Sequence, residues 1–144
     1  MGDLRNNFSK DEFRCKCGCG VYKYMDPDLL DGLQLLRDNT QRNVKINSGY
    51  RCPNHKIERK KKKPGEHSRC TAADIVIEGY TKIQTLAAVL QIPQFKNGGI
   101  GIYPDDNMLL THVDTRPNRA RWSYIGNVQR SYEDGLLLLQ KNNN

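Results

Sequence analysis

Two of the three histidines in this 144-residue chain lie close to aspartates that sit inside strand-like runs. His67 and Asp74 are seven positions apart, and Asp74 sits within Ala72-Ala73-Asp74-Ile75-Val76-Ile77. A carboxylate in so apolar a run is costly to bury unless something positive meets it, and either an arginine or a metal ion would serve. His112 and Asp114 fall in a second such run, residues 109–115. Side chains two apart on a strand share a face, so His112 and Asp114 look into one space. Two imidazoles and a carboxylate, with a fourth position left to water, are the donor set of a catalytic zinc. Spacing alone fits equally well a hydrogen-bonded core histidine beside a salt-bridged aspartate, and both readings stand at this point.

The elements that must position these residues can be read from pattern. Asp26-Pro27-Asp28 announces a helix, with Asp26 as cap, Pro27 in the first turn and Asp28 at the positive end of the dipole. Apolar residues at 29, 30, 33 and 36 keep helical spacing up to a stop near Asn39. Strands are expected over Val44–Ser48, Ala72–Ile77, residues 100–103 and residues 108–115, the last two joined by a turn at 104–107. A second helix is expected from Tyr80 to Gln91, halted by Pro93. Residues 52–66 hold two prolines and the run Arg59-Lys60-Lys61-Lys62-Lys63, which reads as an exposed, mobile basic loop. A frayed tail is expected over 140–144. The expected architecture is a single small α+β domain spanning 1–144, with a mainly antiparallel sheet and helices on one side.

Composition narrows the class. The chain is 37% hydrophobic and 27% charged, which excludes a membrane channel and argues against wholesale disorder. No run approaches the roughly 18 apolar residues of a membrane helix, so no membrane span is expected. The net charge of +7 favours anionic partners without choosing among nucleic acid, acidic wall polymers and a carboxylate substrate. Only Trp122 and scattered tyrosines accompany the basic residues, with no platform for stacking bases, so no specific nucleic acid is expected. A solvated loop is the ordinary reading of Lys60–Lys63.

Five cysteines cannot all pair within one chain. Cys15, Cys17 and Cys19 stand at alternate positions in a glycine-rich turn. Structural zinc usually needs a second pair of ligands, absent here unless Cys52, Cys70 or His55 contributes. Free thiols are the expectation, and a second, structural ion at Cys15, Cys17 and Cys19 is not.

The order of motifs carries more than their spacing. Ser48-Gly49-Tyr50-Arg51 is followed by His67 and Asp74, and then by His112-Val113-Asp114 and Trp122. From Phe13 to Trp122 this order resembles the zinc D-alanyl-D-alanine carboxypeptidase family, which includes phage endolysins and is distantly related to the hedgehog signalling domain. The resemblance implies a small α+β fold, one Zn2+ held by His67, Asp74 and His112, and a monomer acting on peptidoglycan peptides, beside D-alanine. It implies that Arg51 stabilises the anionic intermediate or holds a substrate carboxylate, with Ser48 also at the substrate. Zinc polarises the scissile carbonyl and lowers the pKa of water toward about 7, and a carboxylate moves the water's proton to the leaving amine.

Some positions depart from the family pattern. Gly65 and Cys70 stand where the family often has a serine and a glycine, and Leu109 and Leu110 stand where some branches place the base. Neither leucine can accept a proton, which leaves Asp114 as the candidate base, with Glu66 and His55 as rivals. Two other readings follow: a metal-binding domain of the same fold without catalysis, and a basic nucleic-acid-binding protein. The opening residues 1–7 lack the apolar stretch of a secretion signal, so synthesis in the cytoplasm is expected, with phage-type or assisted release to the wall.

Overall fold

The computed structural model describes residues 2–142. Its chain forms a six-stranded sheet and five α-helices, an α+β arrangement. The strands are β1 (Val44–Ser48), β2 (Ala72–Ile77), β3 (Gly99–Ile102), β4 (Thr111–Asp114), β5 (Ala120–Ile125) and β6 (Val128–Arg130). They lie in the order β1-β2-β4-β3-β5-β6, and every neighbouring pair is antiparallel except β3 with β5. The helices are α1 (Lys10–Phe13), α2 (Pro27–Thr40), α3 (Lys82–Val89), α4 (Pro93–Lys96) and α5 (Tyr132–Asn142). Among the described residues no helix is long and apolar enough to cross a membrane.

Alternation along the strands divides the sheet into two faces. Ala73, Ile75, Ile77, Ile100, Ile102 and Val113 enter the hydrophobic core together with Leu29, Leu33 and Leu36 of α2 and Phe95 of α4. The intervening positions, Asp74, His112, Asp114 and Gly101, belong to the opposite face. Burying the first set removes several large apolar side chains from water, each contributing about 1.5–3 kcal/mol. That face supplies the stability, which leaves the other free to carry polar groups.

Several boundaries differ from the sequence reading for local reasons. Asp26 does not cap α2 with its side chain; its Oδ2 accepts from Thr115 Oγ1 at 2.5 Å instead. The helix runs to Thr40 and ends on Gln41 in the left-handed region, φ 55°. The stretch expected as one helix over 80–91 is α3, opened by a reciprocal Thr81–Gln84 capping box, and Pro93 begins α4 at its first turn. The expected strand over 108–115 is shorter because Leu109 has φ 60°, outside the extended region. The basic loop contains a 3-10 turn at Glu58–Lys60, and buried Glu58 ties it down by accepting from Lys61, Ser68, Gly65 and Arg51. Of the expected frayed tail, residues up to Asn142 are in α5, and 143–144 lie outside the described residues.

Candidate active site

The site is a row across the sheet. Asp74 on β2 pairs with His112 on β4, His112 with Gly101 on β3, and Gly101 with Trp122 on β5. Paired residues share a face, so register alone lines up an acid, an imidazole, a gap and an indole. The gap is required: a Cβ on Gly101 would come within 2.6 Å of the Trp122 ring. Trp122 therefore lies over Gly101 with its ring centroid 5.0 Å from that of His112.

His67 enters from the loop before β2. Its Nδ1 lies 2.8 Å from the Gly49 carbonyl, which fixes the proton there and leaves Nε2 facing Asp74 Oδ1 at 3.4 Å. His112 is held the other way round, with Nε2 2.7 Å from Asp114 Oδ2 and Nδ1 3.1 Å from Asp74 Oδ1. His67, Asp74 and His112 thus bring two nitrogens and one oxygen within 4.8 Å of one another, all three residues buried. A tetrahedral zinc with bonds of about 2.1 Å keeps its donors about 3.4 Å apart, so the donor set and its spacing fit such an ion.

The charges around the triad are matched. Arg51 donates from Nη2 to Asp74 Oδ2 at 3.1 Å, from Nε to Ser48 Oγ at 3.1 Å and from Nη1 to Glu58 Oε2 at 3.4 Å. Burial would raise the pKa of Asp74, but the charges and hydrogen bonds of His67 and His112 outweigh it and hold the carboxyl well below its usual range. Burial pushes His67 down despite Asp74. Burial would push His112 down as well, but its bonds to Asp114 and Asp74 prevail and raise it.

Asp114 stands behind His112. It is fully buried; Oδ1 accepts from Gly99 N at 2.8 Å, and both oxygens accept from Arg116. It is not among the residues that line the cleft. The rivals fare differently. His55 points into its own turn, accepting from Ile57 N, and is not a cleft residue. Glu66 does line the cleft, its Oε1 accepting from Thr71 Oγ1 at 2.9 Å. Ser48 touches Arg51 and does not line the cleft.

The triad opens into a cleft of about 1490 Å³. Asn47, Lys60 and Lys61 line it on the β1 side, and Tyr124 and Gln129 on the β5–β6 side. Sequence reasoning assigned no role to Glu58, Tyr103 or Arg116. Glu58 carried a signal, an acid within a basic run. Arg116 stacks over Trp122 at 4.8 Å while gripping Asp114, and its position two after Asp114 was the available hint. Tyr103 lines the cleft, and burial, helped by the Asp74 charge, raises its pKa and keeps the phenol protonated. Cys70, at the family's glycine position, has φ 67°, a left-handed backbone that glycine adopts without strain. It is not part of the triad.

A family model described as peptidoglycan L,D-endopeptidase MepK matches residues 12–122. The chain belongs to this family. It is therefore a member of a metal-dependent group of peptidoglycan peptidases, and the triad is its possible metal site. No curated protein and no solved structure matches the chain. The carboxypeptidase and endolysin resemblance is thus met at the level of the peptidase family, not of the subtype.

Proposed function

We propose that the chain is a zinc peptidase that cuts amide bonds in peptidoglycan cross-links, as an endopeptidase. The observation that carries this reading is the convergence of His67 Nε2, Asp74 Oδ1 and His112 Nδ1 in a cleft lined from both flanks of the sheet. A cleft continuing past the triad on two sides suits a chain that extends beyond the scissile bond in both directions. Gly65, where the family often has a serine, is consistent with no grip on a terminal carboxylate.

Zinc, when bound, would polarise the scissile carbonyl and make water a nucleophile near neutral pH. The protein's own groups do the rest. The Gly49 carbonyl and Asp114 each hold one imidazole tautomer, so that the opposite ring nitrogen is free to ligate. Arg51 holds Asp74 by its second oxygen, and Ser48 and Glu58 hold Arg51. With its donors engaged in this way, Arg51 is a positioning residue whose permanent charge also favours a developing oxyanion. Tyr103 offers a protonated phenol at the cleft wall. Glu66 is our candidate for the proton acceptor, being a carboxylate in the cleft next in sequence to His67. Lys60 and Lys61 give the rim positive charge for the carboxylates of stem peptides.

The test is digestion of purified cross-linked muropeptides with zinc present, products read by mass spectrometry, and His67→Ala as control. Conversion of dimers to monomers is expected. Release of free D-alanine alone would make the chain a carboxypeptidase. Intact substrate with zinc bound would favour a metal-binding domain without catalysis, the reading suggested by Leu110 lining the cleft where some branches carry a base.

A further inference from the structure

We propose that Cys15, Cys17, Cys19 and Cys52 hold a second zinc ion, a structural one, independent of the triad and of the substrate. All four sulfurs lie within 4.8 Å of one another. Cys52 is the missing fourth ligand: its Sγ is 3.4 Å from that of Cys17 and 3.8 Å from that of Cys19. With Zn–S bonds of about 2.3 Å, a tetrahedral tetrathiolate has sulfurs about 3.8 Å apart. A disulfide would need about 2.05 Å, and all five cysteines are free. Four soft donors in a tetrahedral array select zinc over the hard cations.

The loop is shaped for this convergence. Thiols at alternate positions of an extended chain share a face but stand about 6.6 Å apart, too far to meet on one ion. Here Gly18 and Gly20 take φ 109° and 64°, turning the chain back on itself. The turn closes with Cys15 N donating to Val21 O at 2.8 Å. Lys16 anchors it to β1 by donating to the Asn47 carbonyl at 2.6 Å. Cys52 N donates to Cys15 Sγ at 3.3 Å, the kind of N–H bond that favours a thiolate.

Cys52 follows Arg51, and Tyr50 N already donates to Phe13 O at 2.9 Å. The ion would therefore clamp the N-terminal segment to the turn that carries Arg51. Binding replaces four thiol protons, released to solvent, with one divalent ion, and no electron is transferred.

Metal analysis of the full chain, purified under reducing conditions, tests the site. Two zinc ions per chain are expected, one remaining in the His67→Ala/His112→Ala variant and one in the Cys17→Ser/Cys19→Ser variant. Cys17 and Cys19 are exposed, so their replacement opens no core cavity. Should that variant fail to fold, titrating the native protein with an organomercurial and a zinc indicator gives the answer directly. One zinc released as four thiols are modified supports the site. Cobalt loaded into the His67→Ala/His112→Ala variant should show thiolate-to-metal charge-transfer absorption. A single zinc in the native chain that disappears with His67 and His112 overturns the proposal. So does a mass lowered by disulfide formation with no zinc beyond the triad.

Discussion

The His67–Asp74–His112 triad and the cysteine cluster gather ligands by opposite means. Two of the triad's three residues sit in paired strands, and their donors are fixed by register and by a partner on the far side of each ring. The cysteines come from two loops, two of them are exposed, and what unites them is chiefly one another. A site built on a sheet keeps its shape without an ion, because its buried acid is already matched by Arg51 and two imidazoles. A site built on loops rests on a few bonds otherwise, among them Cys15 N to Val21 O, Lys16 to the Asn47 carbonyl and Tyr50 N to Phe13 O. Metal at the first would serve chemistry, and metal at the second would serve folding.

The widest separation should come from deleting one ligand at each place. His67→Ala should reduce hydrolysis to background, with a loss of melting temperature smaller than that of the cysteine variant although His67 is buried. Cys19→Ser should do the reverse, lowering the melting temperature more than the turnover of the folded fraction. Equal losses of activity and stability in both variants would erase the distinction.

Arg51 is next, since it stands between the two clusters. Arg51→Ala leaves buried Asp74 without its permanent cation and Glu58 with Lys61 alone, and should cost about 3–5 kcal/mol, read by urea unfolding. Arg51→Lys should recover part of that stability but little of the activity, because an ammonium cannot span three acceptors with a planar fork.

Asp114→Asn is a smaller change aimed at one ring. If Asp114 acts by holding His112, zinc affinity should fall roughly 10–100-fold while turnover at saturating zinc stays near normal. A large fall in turnover with normal affinity would return Asp114 to the role of base.

The smallest effect expected is a pH dependence at the loop. Burial would raise the pKa of Glu58, but the Lys61 and Ser68 bonds and the Lys61 charge outweigh it and lower it. A depressed folded pKa adds stability above the unfolded value of about 4.3, lost as pH falls through the folded one. The stability gap between wild type and Glu58→Gln should therefore narrow below about pH 4. A gap that is constant with pH would mean that Glu58 contributes shape rather than charge.

Much of the triad was legible because its strands are largely apolar runs in which the ligands stand out, as Asp74 does in Ala72–Ile77. The α2 core face was legible for the same reason. The β5–β6 hairpin was not, since β5 is half-buried on both faces and β6 is exposed, leaving no alternation to read. Nor was α5, with Leu137 exposed among its leucines. Sharing a face put Asp114 beside His112, but did not say that it would meet Nε2 of the ring. Cys52 was named only as one of three possible fourth ligands. Its place depends on the Phe13–Tyr50 backbone bond, a contact far apart in sequence.

Trp122, the chain's single tryptophan, has a consequence of its own. Its indole lies 5.0 Å from the His112 imidazole, tilted by 55°, with the Arg116 guanidinium over the ring at 4.8 Å. All intrinsic indole emission therefore originates at the edge of the triad, and changes in the charge of His112 should alter its intensity. The protein carries a built-in optical gauge for metal arriving at the triad.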